Sequence, residues 1–183
     1  MDTKQIIVSK RITQINDPIL DLIKNTYEDS FPIEERRDFP LFCELVRNQP
    51  AFNVDAFFRD GAYVGFITSW QLEGFVYLEH FAIEKAARNG GIGAIVMNQF
   101  LSSLNSVPAV LEVELPNEEM SKRRIGFYQR IGFVLDDHDY LQPPYHSDED
   151  FLPLRLMTFG DIDLNTSFEA VKTSIYSKVY GVK

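Results

Sequence analysis

The sequence predicts an α/β (α+β) chain: a mixed, mostly antiparallel central sheet of about six to seven strands flanked by helices, followed by a C-terminal helix. Three observations point there. Between positions 52 and 83, three segments rich in aliphatic and aromatic residues follow one another across Asp60-Gly61 and Glu73-Gly74, dipeptides that supply the positive φ angles of tight turns. On both sides of that run, apolar residues recur at helical spacing. With 183 residues, 45% of them hydrophobic, the chain is long enough to enclose one substantial core.

Taken in order, residues 6–13 alternate moderately and read as a first strand. Asn16-Asp17-Pro18 is a helix start, with proline just inside the first turn. Ile19, Leu20, Leu22, Ile23 and Tyr27 then give an amphipathic helix that ends before Phe31-Pro32. A charged loop, residues 32–38, leads to a second helix over 39–47. Strands follow over 52–59, 62–71 and 76–83, and a helix over 92–104. Pro108 breaks that helix ahead of a short strand, 109–115, in which Leu111, Val113 and Leu115 share one face while Glu112 and Glu114 share the other. Asn117 is the expected N-cap of a helix over 118–131, and Gly132 its stop. Residues 133–140 begin another strand, 136–150 form an acidic loop around Pro143-Pro144-Tyr145, and 152–159 form the last strand. In the tail, Phe168, Val171, Ile175 and Val179 lie at helical spacing. The expected organisation is one domain over 1–160, with 161–183 as a helical extension packed on it; a homodimer contact is the other use open to that helix.

Charge and composition exclude several classes. Eighteen basic against twenty-seven acidic residues leave a net charge of −9, the wrong sign for neutralising nucleic-acid phosphates and the right one for attracting cations. Cys43 stands alone, so neither an internal disulfide nor a thiolate metal site can form, and it reads as a small buried hydrophobe. His138 and His146 lack metal-ligand spacing, and no metal is expected. No apolar run spans a bilayer and the N-terminal stretch has no hydrophobic leader core, so a cytoplasmic protein without membrane contact is expected.

The chemistry is carried by the join between the third of the consecutive strands and the helix after it: Arg88-Asn89-Gly90-Gly91-Ile92-Gly93-Ala94. Glycines let the backbone approach a ligand, and the first amides of a helix have no internal partner, so this join is suited to an anion. No Gly-Lys-Ser/Thr follows, as a P-loop requires, and the spacing is not G-x-G-x-x-G. What remains is Arg-x-x-Gly-x-Gly, filled by Arg88, Gly91 and Gly93. A second motif, Phe127-Tyr128-x-x-x-Gly132-Phe133, closes a helix just before a strand. The two in this order resemble the hallmarks of the GNAT acetyltransferase superfamily, over roughly residues 6–159.

That resemblance implies acetyl-coenzyme A as co-substrate and an amine acceptor, a small molecule or a peptide, cationic by the charge argument. It implies the diphosphate on the amides of Asn89, Gly90, Gly91, Ile92, Gly93 and Ala94, with Arg88 supplying charge or positioning. It also implies pantetheine along Phe81, Ala82 and Ile83, an oxyanion donor among the amides near Phe81, and Tyr128 as general acid to the leaving thiolate. Two positions depart from the family pattern: Ser121 stands where asparagine is common, which puts a side-chain contact to the cofactor there in doubt, and Asn89 stands where glycine is common. Alternation puts Glu79 and His80 on opposite faces of their strand, so at most one meets a cleft. Glu79 and Glu114 are the candidate catalytic carboxylates, and Glu112 and Tyr145 the candidate acceptor-binding residues; the general base stays open among the carboxylates. The alternative reading is a non-catalytic coenzyme A-binding or interaction module that keeps the same fold.

Overall fold

The structure is a computed structural model that describes residues 6–182; the outermost ends of the expected domain and extension, residues 1–5 and 183, lie outside the described residues. Eight strands are described: β1 (Ile7–Ile12), β2 (Phe52–Arg59), β3 (Ala62–Gln71), β4 (Val76–Ile83), β5 (Ala109–Glu114), β6 (Val134–Leu135), β7 (Tyr140–Gln142) and β8 (Leu152–Phe159). The helices are α1 (Ile19–Ser30), α2 (Phe39–Asn48), α3 (Ile92–Ser103), α4 (Glu119–Ile131) and α5 (Leu164–Ile175), the last running into a π-turn, Tyr176–Tyr180. One sheet holds all the strands in the order β1-β2-β3-β4-β5-β8-β6, with β7 also paired to β8. Every pairing is antiparallel except β4 with β5. The mostly antiparallel α/β architecture is therefore the one expected from the sequence.

The hairpin β2–β3 turns at Asp60 (φ 51°) and Gly61 (φ 80°), both in the left-handed region a two-residue turn requires. Residues 133–140, expected as one strand, are two pieces, β6 and β7, on the same edge of β8. Between them the backbone amide of His138 donates to Asp136 Oδ1 at 3.0 Å, and this local turn takes the chain off the ladder. The N-cap of α4 is Glu118 rather than Asn117: Glu118 and Ser121 form a reciprocal capping box, in which the buried Ser121 hydroxyl accepts from the Glu118 amide at 3.2 Å.

The sheet is covered on both faces. One core joins α1, α2 and α5 to it through Ile23, Tyr27, Phe42, Trp70, Leu156 and Phe168; the other joins α3 and α4 through Val96, Met97, Phe100, Ile125 and Phe133. The tail helix docks within the same chain, burying Leu164, Phe168, Val171, Ile175 and, in the π-turn, Val179. Among the described residues no helix is long and apolar enough to cross a membrane.

Candidate active site

The site begins with a failure of pairing. β4 and β5 run in register only from Val76/Ala109 to Leu78/Leu111. Beyond that, Glu79–Ile83 on one strand and Glu112–Glu114 on the other part and line a cavity of about 450 Å³. At the parting, the β3–β4 register jumps: Ser69 faces Leu78 and Thr68 faces His80, leaving Glu79 as the extra residue of a β-bulge. Before the bulge Val76 and Leu78 pack into the α3/α4 core; after it Phe81 and Ile83 do. Glu79 and His80 both line the cleft as a result, which corrects the expectation of opposite faces.

At one end of the cleft, where Ile83 and Arg88 line it, β4 delivers the chain to the glycine-rich turn. Asn89 (φ 71°) and Gly91 (φ 69°) are left-handed, and Gly91 caps α3 with no side chain bound to the helix end. Among the described residues, none of the amides from 89 to 93 donates to a backbone carbonyl. Ala94, also expected in this set, differs: its amide donates to Gly91 O at 3.1 Å. Arg88 is spent on position, its Nε donating to Ile83 O at 2.9 Å and its Nη2 to Ser30 Oγ at 3.2 Å. A Cβ added to Gly93 would meet Ile83 and Phe127 only at 3.6 Å, so the protein's own packing does not demand glycine there. Phe81, on the same stretch of β4, stacks on Phe127 with ring centroids 6.2 Å apart. An uncapped helix end whose free amides have no side chain bonded to them fits a diphosphate.

Tyr128, which lines the cleft, packs edge-on against Phe127 and Phe133 with centroids 5.2 and 5.4 Å apart. Burial pushes its phenol up to about 12, against the opposing pull of Arg124, so it stays protonated at neutral pH. The backbone of Tyr128 accepts from Phe133 N at 3.1 Å as the helix ends on left-handed Gly132.

The other end is acidic and aromatic. Glu79 is ion-paired with Arg37, accepts from Trp70 Nε1 at 2.9 Å and from the Tyr145 hydroxyl at 3.2 Å. Burial favours its neutral form, but Arg37 and these donors outweigh it and hold the carboxyl below its ordinary value. A carboxylate so engaged anchors its surroundings better than it takes up protons. His80 is satisfied on both nitrogens, with Nδ1 3.2 Å from Thr68 Oγ1 and Nε2 3.1 Å from Glu35 O. The carbonyl can only accept, so Nε2 carries the proton; burial pushes the imidazole down, and it is neutral.

Glu112, deeper in, accepts from Tyr140, from Gln142 Nε2 at 2.5 Å and from the Tyr180 hydroxyl at 2.9 Å; burial raises its carboxyl despite these donors. Glu114 is at the rim, 3.0 Å from Arg124 Nη1. Tyr145 lines the cleft with Arg37 stacked 4.7 Å over its ring.

The sequence did not single out Arg37, Glu35, Gln142 or Tyr180. Arg37 lies in the charged loop, residues 32–38, and donates to Val179 O at 2.6 Å and to Glu79. Tyr180 lies in the expected helical extension, 161–183, and ends the π-turn, from which its hydroxyl donates to Glu112. Among the described residues no group of three or more His, Cys, Asp and Glu is placed to hold a metal ion.

Comparison with known proteins gives the family and the fold. The sequence profile of the acetyltransferase (GNAT) family matches residues 16–133. A solved structure from Bacteroides thetaiotaomicron, assigned to the GNAT family as an acetyltransferase, is 40% identical, with a TM-score of 0.91 over 96% of this chain and 99% of that one. Two more distant structures share the fold. A mutant form of SpeG spermidine N-acetyltransferase from Vibrio cholerae is 14% identical, TM-score 0.65, over 84% of this chain and 93% of that one. Arabidopsis thaliana Naa50, in complex with the bisubstrate analogue CoA-Ac-MVNAL, is 17% identical, TM-score 0.59, over 84% and 98%. No curated protein sequence matches the chain.

Proposed function

Since the chain belongs to the GNAT family of acetyltransferases, we propose that it moves an acetyl group from acetyl-coenzyme A to a primary amine of a cationic small-molecule or peptide acceptor. One observation carries the reading: a single cleft runs from Ile83 and Arg88, which lead into the glycine turn and the uncapped start of α3, to carboxylates and tyrosines suited to an amine. Acetyl-coenzyme A, when bound, supplies an activated acetyl as a thioester.

The chain's own residues have separate tasks. The amides of Asn89–Gly93 hold the diphosphate, with Ala94 completing the first turn behind them, and Arg88 braces the loop. The parted edge of β4, Phe81 to Ile83, offers main-chain groups to the pantetheine arm and an amide to the carbonyl oxygen. The acceptor nitrogen must be neutral to form the new C–N bond, because an alkylammonium titrates near pH ~10. Its proton leaves by way of Glu114, at the rim and in reach of solvent. Glu112 and Tyr145 hold the acceptor. Tyr128 Oη gives its proton to the sulfur as the C–S bond breaks. Glu79, expected as a catalytic carboxylate, is assigned here to holding Arg37 and Tyr145 in place.

The test is thiol release with a panel of amines, alongside thermal melting with acetyl-coenzyme A. Binding must raise Tm, because ligand stabilises only the folded state. Tyr128→Phe is expected to cut kcat about 10²- to 10⁴-fold while that Tm rise persists. A Tyr128→Phe protein of full activity would leave the phenol a packing residue, and no turnover with any amine would favour a coenzyme A-binding module.

A further inference from the structure

Resting on that reading, two features of the cleft's acidic end narrow the acceptor. The first is closure. Two loops flank this end: residues 31–38, between α1 and α2, and residues 143–151, between β7 and β8. They are tied together. His146 Nε2 lies 3.0 Å from Ile33 O and 3.2 Å from Arg36 O, both acceptors, so one N–H bridges the loops. Behind the bridge Arg37 stacks on Tyr145 and donates to Val179 O, sewing in the π-turn. Gln142, which lines the cleft, donates to the Tyr180 hydroxyl at 2.8 Å and so joins the cleft wall to the same turn. A polypeptide laid across the cleft would have to part these contacts.

The second feature is charge. Glu79 is balanced by Arg37 and Glu114 by Arg124. Glu112 and Glu35 also line the cleft, and neither forms a salt bridge among the described residues, Arg124 acting on Glu35 only as a more distant charge. The donors around Glu112 are hydroxyls and an amide, which fix its oxygens without supplying positive charge.

We propose that the acceptor is a small free molecule bearing at least two amino groups: one is presented to the acetyl group while another, as an ammonium, is balanced by the unpaired carboxylates Glu112 and Glu35 within the tied-off end. The reacting amine sheds its proton; the second amine keeps its own.

The experiment compares a linear diaminoalkane, the monoaminoalkane of equal length and a hexapeptide whose only amine is its N-terminus, by acetyl-coenzyme A-dependent thiol release and mass spectrometry. The diamine is expected to gain one acetyl group with kcat/KM at least about tenfold above the monoamine, one added charge-assisted contact, and the peptide to give no product. E35Q and E112Q should raise KM for the diamine about tenfold and shrink its advantage over the monoamine, a charge effect that a purely structural role would not produce. H146A should admit the peptide. Peptide acetylated as fast as diamine, or monoamine and diamine used equally, overturns the proposal while leaving acetyl transfer intact. Acetyl-coenzyme A raising Tm with none of the three acceptors acetylated overturns both.

Discussion

Arg37 and His80 show how much of the site rests on single side chains. Arg37 and Glu79 are buried together, with 12% and 1% of their side chains exposed. Removing one partner strands the other's charge, so Arg37→Ala is expected to cost about 3–5 kcal/mol in denaturant unfolding, and Arg37→Ala with Glu79→Gln markedly less. His80 acts on pH dependence. Its folded pKa lies below the ordinary value near 6.5, so between the two the unfolded chain binds more protons than the folded one. Stability is thus complete above about pH 6.5 and is lost as pH falls from there toward the folded value. Melting from pH 7.5 to 5 should decline less steeply for His80→Gln than for the natural chain. Neither residue's environment could be read from its neighbours in sequence. The partners of Arg37 lie 42 and 142 positions away, and a run reading PIEERRD carries no sign of which arginine turns inward.

Elements were easier to read than their exceptions. The Asp-Gly hairpin, β4, β8 and the starts of α1 and α3 lie where turn residues and periodicity put them, because those signals are local. The bulge at Glu79 is an inserted residue that alternation cannot reveal, and it decides which side chains reach the cleft. The split of β6 from β7 hangs on a side-chain turn at Asp136. The glycine loop was legible as a motif, and Gly93 allows its purpose to be tested. Gly93→Ala should leave unfolding stability unchanged or raised by up to about 1 kcal/mol, since the protein leaves room for a methyl and alanine favours helix. If the proposed diphosphate site on these amides holds, the Tm rise caused by acetyl-coenzyme A should shrink, because a methyl at Gly93 would crowd the ligand's approach to the backbone. An undiminished rise would place the diphosphate elsewhere.

At the scale of the molecule, the tail is structural before it is functional. Leu164, Phe168, Val171, Ile175 and Val179 are each at most 8% exposed, and a buried side chain of this kind is worth about 1.5–3 kcal/mol. Their sum rivals the whole stability of a typical domain, about 5–15 kcal/mol. A chain ending at residue 160 is therefore expected to lose near-UV circular dichroism and cooperative melting, not merely activity. Composition could say that 161–183 carries a helix-like pattern; it could not say that the helix is part of the main core, since that depends on where the sheet leaves a face open.

The contact of Tyr180 with Glu112 spans 68 positions. During synthesis, the glycine turn and the Tyr128 helix leave the ribosome well before residue 180 does. Until it does, Glu112 lacks the donor that Tyr180 supplies and the main core lacks the helix that covers it. The acceptor end and the stable core are thus completed together, by the last residues of a nearly finished polypeptide, and interrupted synthesis yields a chain with neither.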